Sequence, residues 1–217
     1  MALAIAWSAI SGQHHAVYTI PECEFIIEPF EIPAHWPRAY GMDVGWRSAA
    51  VVWVARNPNT GVLYLYDEYS SQEVDPALLA EAIQDRGRWI RGVMDPVGNG
   101  RQREDGLRLF YLYNQAGLDV APASNNLESD ILEVCQRMHS GRLKVFASLE
   151  GYREDLRRCR RDARGQIVTE GGNLAEAARC LVVSGLWRMR RDPAQRPPED
   201  GSGMHSIPRG PLAWMAY

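Results

Sequence analysis

Three carboxylates in this chain have the type and order needed to hold divalent cations. Asp43 lies within the short apolar stretch 40–46, Asp95 directly follows the apolar stretch 89–94, and Glu176 lies early in the last predicted helix. A carboxylate inside a buried strand costs free energy unless a cation or a hydrogen-bond network compensates it. Carboxylate oxygens suit Mg²⁺ or Mn²⁺, and two such ions about 4 Å apart can activate water and stabilise the leaving oxygen of a phosphodiester.

Each acid also has a purely structural interpretation. Asp43 could form a turn, Asp95 could simply end a strand, and Glu176 could be a solvated helix residue. Asp67 and Glu68 compete for the same role, because they end another predicted strand and one of them must face the sheet interior. The order of the acids is more informative than any one of them: a strand acid, a meander, a helix, a strand-end acid and a late helix acid.

Alternating strands and helices would position these acids. Strands are predicted at about 39–45, 49–56, 62–69, 89–94, 118–121 and 143–146, with an edge strand at 25–27, and helices at about 76–86, 104–116, 127–139, 152–161 and 174–189. Asp75 and Pro76 are typical of a helix start. The pattern predicts an α/β fold, a mixed sheet that opens with an antiparallel meander and is flanked by helices. Functional groups of such sheets collect at strand ends, so the three acids are expected to meet there.

Composition limits the organisation and the class of the protein. A length of 217 residues with 46% hydrophobic side chains suits one α/β domain. We predict an extended lead-in at 1–38 that contains four prolines, a compact domain at 39–191, and a flexible tail at 192–217 rich in Pro, Gly and Ser. The four cysteines form no CxxC pair, which argues against a zinc site and for reduced thiols. No apolar run reaches the roughly 18 residues that span a membrane.

Basic side chains are clustered although the formal net charge is −3. Candidates for contacts with DNA phosphates are Arg47, just after the first strand, and the crowded group Arg153, Arg157, Arg160, Arg161 and Arg164. The alternative for the crowded group is a solvated helix face paired with neighbouring acids. A second group, Arg188, Arg190 and Arg191, lies near the end of the predicted domain.

These features together resemble the nuclease domain of the large terminase subunit of tailed bacteriophages, a member of the ribonuclease H-like (RuvC-like) superfamily. The resemblance covers roughly residues 28–186. It is carried by the stretches 30–45, 67–69, 89–96, 132–146, which ends in Ser-Gly-Arg-Leu-Lys-Val-Phe, and 176–180 (Glu-Ala-Ala-Arg-Cys). At the last stretch the family usually reads Asp-Ala-x-Arg-Tyr. It implies a mixed five-stranded sheet and metal-dependent cutting of concatemeric double-stranded viral DNA during genome packaging, with little sequence specificity.

The resemblance also implies roles for the acids. Asp43 would bridge two Mg²⁺ or Mn²⁺ ions, Asp95 would hold one and Glu176 the other. Gly172 and Asn173 stand where the family often has Asp-His, although Asn173 could still offer a weak metal ligand. Glu176 replaces an Asp and Cys180 an aromatic residue, a change we expect to affect packing. These departures imply a weak or metal-selective nuclease.

The implied partners are double-stranded DNA, a terminase ATPase domain, the small terminase subunit and the portal, in the host cytoplasm. No G-x-x-x-x-G-K-[ST] motif occurs, so the sequence given holds no ATPase motor, and residues 1–38 would be the linker from it. Two other functions stay open. One is a Holliday-junction resolvase on the same scaffold, and the other is a non-enzymatic ribonuclease H-like module that docks to the portal or the motor.

Overall fold

The computed structural model describes residues 15–45, 48–72, 75–95, 103–123, 126–168 and 173–195, and a seven-stranded sheet lies at its centre. In chain order the strands are β1 (His15–Ala16), β2 (Ile26–Ile27), β3 (Arg38–Val44), β4 (Ala49–Arg56), β5 (Leu63–Ser71), β6 (Arg91–Met94), β7 (Val120–Pro122), β8 (Leu143–Phe146), β9 (Arg160–Arg161) and β10 (Ile167–Val168). The α-helices are α1 (Glu22–Phe25), α2 (Pro76–Asp85), α3 (Arg103–Gln115), α4 (Leu127–His139), α5 (Glu150–Arg158) and α6 (Asn173–Cys180).

The strand order of the large sheet is β2-β8-β5-β4-β3-β6-β7. The predicted antiparallel meander is confirmed, because β3 pairs antiparallel with β4 and β4 with β5. β6 and β7 then continue the sheet in parallel on the other side of β3. The sheet has two strands more than the five that the resemblance implies. β8 pairs in parallel with β5, and β2, the predicted edge strand, pairs in parallel with β8.

Two predicted helices end earlier than expected. The helix predicted at 152–161 ends at Arg158, and Arg160–Arg161 instead form β9, which pairs with β1 and β10 in a separate three-stranded sheet. The last helix, predicted at 174–189, stays α-helical only to Cys180. It continues as a π-helix at Leu181–Gly185 and a 3₁₀ turn at Leu186–Arg188. The change of helix type falls where this segment packs closely against β3 and β6, and single π-turns within helices often occur at functional sites.

Alternation along β3 divides the core between the two faces of the sheet. Ala39 packs in one hydrophobic cluster with residues of α4, α5 and α6, whereas Tyr40 and Met42 pack in the other cluster with residues of α2 and α3. Asp43 is two residues from Gly41 and four from Ala39, so its side chain lies on the α6 face of the sheet. This alternation decides which helix can bring a further functional group to Asp43.

The lead-in packs against the domain within the described residues. Phe25 and Trp36 are buried, and the ring of Phe30 lies 5.1 Å from that of Phe146 and 5.2 Å from that of Tyr64, measured between centroids. The predicted cap of α2 is confirmed, since Asp75 accepts a hydrogen bond from the backbone N–H of Ala77. The predicted tail beyond residue 195 lies outside the described residues. No described helix has the length and apolar character that crossing a bilayer requires.

Candidate metal centre

Asp43 and Asp95 lie side by side at the ends of two parallel strands. Met42 of β3 is in register with Met94 of β6, and Asp43 and Asp95 are the residues that directly follow this pair. Both side chains are almost fully buried, with exposed fractions of 2% and 1%. The strand-end position predicted for Asp95 is therefore confirmed, and the parallel pairing explains why it lies next to Asp43.

Gly41 allows α6 to approach this strand end closely. A Cβ atom at position 41 would lie 2.3 Å from the carbonyl oxygen of Ala177 and 2.6 Å from Cβ of Leu181, so no larger residue fits without displacing the helix. Ala177 directly follows Glu176, whose side chain is 7% exposed. The missing side chain at position 41 thus lets α6 bring Glu176 over the face that carries Asp43.

Glu176 and Asp95 share their surroundings with a thiol. One ligand atom from each of Asp95, Glu176 and Cys180 lies within 4.8 Å of the others. Burial raises the pKa of the Cys180 thiol well above its usual value; Arg179 lowers this pKa, while Glu176, Asp95 and Asp43 raise it further. Asp43 therefore acts electrostatically on the same site, although it is not part of the 4.8 Å group within the described residues. Cys180 was expected only to change packing, and its contact with both acids is an addition.

A buried arginine connects the acids. Nε of Arg179 donates to Oε2 of Glu176 at 3.0 Å, and Nη2 bonds the other oxygen of the same carboxylate. Nη1 bonds Asp130 of α4, and Nη2 lies 3.8 Å from Oδ2 of Asp95. Arg179 and Asp130 are 1% and 4% exposed. A guanidinium that bonds both carboxylate oxygens fixes the plane and direction of that carboxylate.

The roles of Asp130 and Arg179 were not predicted, although the position of each residue on its helix gives a clue to its role. Asp130 is four residues before Val134 on α4 and lies on its buried face, where an acid needs a partner. Arg179 follows Glu176 by three residues on α6, which places the two side chains on one face of the helix. The pairing of Asp130 with Arg179 could not be predicted from either pattern, because α4 and α6 are far apart in sequence.

Two further carboxylates hold the N-terminal ends of α5 and α6. Glu68, within β5, accepts hydrogen bonds from the backbone N–H groups of Gly151 at 2.9 Å and Tyr152 at 2.8 Å. Asp155, on α5, accepts one from the N–H of Leu174 at 2.8 Å. Burial raises the pKa of both Glu68 and Asp155, while these backbone hydrogen bonds lower it. Glu68 therefore caps the N-terminal end of α5. Asp155 connects α5 to the start of α6, the helix that carries Glu176.

Several of the arginines predicted to contact DNA have acidic partners within the described residues. Arg153 and Arg157 both pair with Glu22 of α1, at 2.8 Å and 2.6 Å, and Arg161 pairs through both terminal nitrogens with Glu128 of α4. Arg160 and Arg164 are exposed on the β9–β10 hairpin. Arg47 lies outside the described residues, as does the side chain of Asn173, although its backbone begins α6.

Comparison with known proteins identifies a family. The model of the family described as "Terminase RNaseH-like domain" matches residues 40–184. The terminase large subunit of Enterobacteria phage LP7 is 27% identical over 187 residues, which cover 82% of this chain and 39% of that protein. The terminase large subunit of Salmonella phage P22 is 27% identical over 185 residues, covering 81% and 37%. This chain therefore spans less than half the length of both relatives.

Solved structures agree with the fold. The structure of the P22 large terminase nuclease domain matches with a TM-score of 0.69 and 26% identity, covering 76% of this chain and 89% of that one. The crystal structure of the large terminase nuclease domain from bacteriophage SPP1 with bound Mn matches with a TM-score of 0.51 and 14% identity, covering 72% and 93%. At that identity the second match shows a shared fold.

Proposed function

This chain belongs to the terminase family of ribonuclease H-like domains, and we propose that it is a metal-dependent endonuclease. Its substrate would be concatemeric double-stranded viral DNA, cut during genome packaging with little sequence specificity. The family match spans all three predicted acids, and the manganese-bound SPP1 domain with the same fold supports the use of a divalent cation. The chain would work with a terminase ATPase domain, the small terminase subunit and the portal in the host cytoplasm.

One observation carries the proposal. Asp43 and Asp95 directly follow a paired position of two parallel strands, and α6 packs over this strand end with Glu176 in its first turn. Asp43 and Asp95 are positioned by the β3–β6 pairing, and Glu176 by the packing of α6 on Gly41. Their carboxylate oxygens fit Mg²⁺ or Mn²⁺ better than they fit softer metals. Two ions bound by these three acids would activate a water molecule and stabilise the leaving oxygen of the phosphodiester.

The other residues of the site would orient Glu176 or contact the DNA phosphates. Arg179 holds the carboxylate of Glu176 in a fixed plane, and Asp130 holds Arg179 from the opposite side. Asn173 would add a weak ligand at the start of α6. Arg160 and Arg164, exposed on the β9–β10 hairpin, together with Arg47, would contact phosphates flanking the cut. Contacts of this kind would reach the DNA backbone rather than base edges, which is why we expect little sequence specificity.

The experiment that tests the proposal is plasmid cleavage by Asp43→Asn in the presence of Mn²⁺ or Mg²⁺. The amide keeps the shape of the side chain and removes its charge, so we expect cleavage to be lost while the circular dichroism spectrum stays unchanged. Asp85→Asn, at an exposed position on α2, is the matched control and should cut like the wild-type protein. Full cleavage by Asp43→Asn would contradict the assignment.

A second candidate, a ribonuclease H-like docking module with little catalytic power, has one observation in its favour. Both oxygens of Glu176 are bonded by Arg179, so a metal must share this carboxylate with a buried cation. Calorimetric titration with Mn²⁺ separates the two candidates. The nuclease should show saturable binding that is lost in Asp43→Asn, whereas a docking module should show no specific binding.

A further inference from the structure

A cleft lined by arginines lies at the end of the sheet opposite the three acids. It consists of two adjoining hollows of 820 Å³ and 290 Å³, which share Arg190, Arg191 and Pro193 in their walls. Pro37, in the wall of the larger hollow, directly precedes β3, whereas Asp43 is near the end of that strand. Six residues of strand separate the two positions by about 20 Å, so this basic cleft is distinct from the metal centre.

The charge of the basic cleft is largely uncompensated. Arg56, Arg88, Arg190 and Arg191 are exposed, and none of the four pairs with an acid in the described part of the chain. Within the described residues, the guanidinium of Arg190 donates only to backbone carbonyls, those of Trp187 and Met189. The net charge of the whole chain is −3, so this concentration of positive charge is a local property.

The acids in the walls of the basic cleft are already engaged. Asp119 pairs with Arg91 at 2.7 Å and also with Arg188. Oδ1 of Asp192 accepts a hydrogen bond from the backbone N–H of Ala194 at 2.9 Å. Asp192 keeps its negative charge, so the five arginines and two aspartates of the walls together carry a net charge of +3.

The contrast with the crowded arginines at 153–161 is informative. Arg153, Arg157 and Arg161 are held by Glu22 and Glu128, so a DNA phosphate would have to displace a protein carboxylate from each of them. The arginines of the basic cleft require no such exchange. A polyanion therefore gains more from the basic cleft than from the group that the sequence makes conspicuous.

The chemistry of the basic cleft favours a phosphate backbone over an acidic peptide. Its rim is formed partly by Pro37, Pro58 and Pro193, which have no N–H group to pair with an added peptide strand. Recognition is left to guanidinium groups, whose planar forks match phosphate oxygens. Contacts of this kind position a duplex without reading its sequence.

We propose that the basic cleft is a second binding surface for duplex DNA, which holds the phosphate backbone away from the cutting site. The inference rests on the proposed function only for the identity of the polyanion. Because the basic cleft lies about a strand length from the acids, it should affect how tightly DNA is held and leave the rate of cleavage at saturating DNA unchanged.

The test is the salt dependence of DNA binding in EDTA, followed by fluorescence anisotropy of a labelled duplex of random sequence. The slope of log K against log salt concentration is negative, and each lost phosphate contact makes it shallower by about 0.9. The variant Arg56→Gln/Arg191→Gln should therefore have a slope that is shallower by about 2. The comparison variant Arg157→Gln/Arg158→Gln also removes two charges, but both arginines have acidic partners. Its slope should stay within error of the wild-type value.

Each alternative outcome is decisive. An unchanged slope in Arg56→Gln/Arg191→Gln, or no binding of the wild-type protein to duplex in EDTA, overturns the inference. Loss of poly-glutamate binding in that variant with an unchanged DNA slope would identify an acidic protein partner instead. Plasmid cleavage in Mn²⁺ is measured in parallel, so that failure of the nuclease proposal and failure of the basic cleft are recorded separately.

Discussion

Replacing Gly41 by alanine should weaken metal binding beyond what a loss of stability explains. The added Cβ would lie 2.3 Å from the carbonyl oxygen of Ala177, whereas ordinary contacts begin at 3.4 Å. Because a packed interior has little free space, the backbone of α6 must move away by about 1 Å, and Glu176 moves with it. We expect the free energy of unfolding to fall by about 1–3 kcal/mol and the affinity for Mn²⁺ by about tenfold or more.

Gly92→Ala supplies the matched control. Gly92 lies opposite Tyr40 in the β3–β6 pairing, and its added Cβ would lie 2.1 Å from the Tyr40 ring, on the face of the sheet away from α6. Overpacking there should destabilise the fold to a similar degree without moving Glu176.

The assay is thermal unfolding of both variants with and without Mn²⁺. At a concentration 100 times the wild-type Kd, Mn²⁺ stabilises the wild-type protein by about 2.7 kcal/mol, and a tenfold weaker site by only about 1.4 kcal/mol. For a chain of this size each kcal/mol corresponds to about 2–4 °C in Tm. Gly92→Ala should keep the full metal-induced shift. An equal shift in both variants, or a full shift in Gly41→Ala, would contradict a role for Gly41 in placing Glu176.

Two further predictions concern the surroundings of Glu176, and a third concerns the preferred form of DNA. Asp155→Ala removes the cap of α6, so it should lower the free energy of unfolding by about 0.5–2 kcal/mol and also lower the affinity for Mn²⁺. Asp155→Asn keeps an acceptor oxygen and should retain both the stability, measured by thermal unfolding, and the Mn²⁺ affinity, measured by calorimetry. Equal metal affinity in the two variants would oppose a positioning role for Asp155. Arg179→Lys keeps the charge but cannot bond both oxygens of Glu176, so cleavage at saturating Mn²⁺ should fall although the protein folds; wild-type rates would show that the bidentate contact is dispensable. Linear duplex should be cut at least as fast as a four-way junction of the same length in a gel assay, and a strong preference for the junction would favour a resolvase.

The sequence predicted the principal acids because they lie on locally recognisable elements. Asp43 interrupts an apolar run and Asp95 ends one, patterns that need no tertiary information. Their pairing depends on β6 adding to β3 in parallel with Met94 opposite Met42. Periodicity gives no strand order and no register, so the meeting of these acids could be expected only from the rule for strand ends and from family resemblance.

The contacts that sequence analysis did not predict join elements far apart in the chain. Arg153 has Glu150 and Glu154 beside it in sequence, yet its partner is Glu22 in the lead-in. Arg179 reaches Asp130 across the interface between α4 and α6. Such partners follow from tertiary packing, which hydrophobic periodicity does not encode. The continuous helix predicted to 189 was wrong for a related reason, since the π-helix forms where the chain packs tightly on β3 and β6.

The most direct test of the account is an anomalous difference map from crystals of this protein soaked in Mn²⁺. Two peaks are expected between Asp43, Asp95 and Glu176, with Asp43 nearest to both. Crystals of Asp43→Asn are expected to lose at least one of them. No peak at these three acids in a well-ordered wild-type crystal would contradict the metal centre on which the proposed function rests.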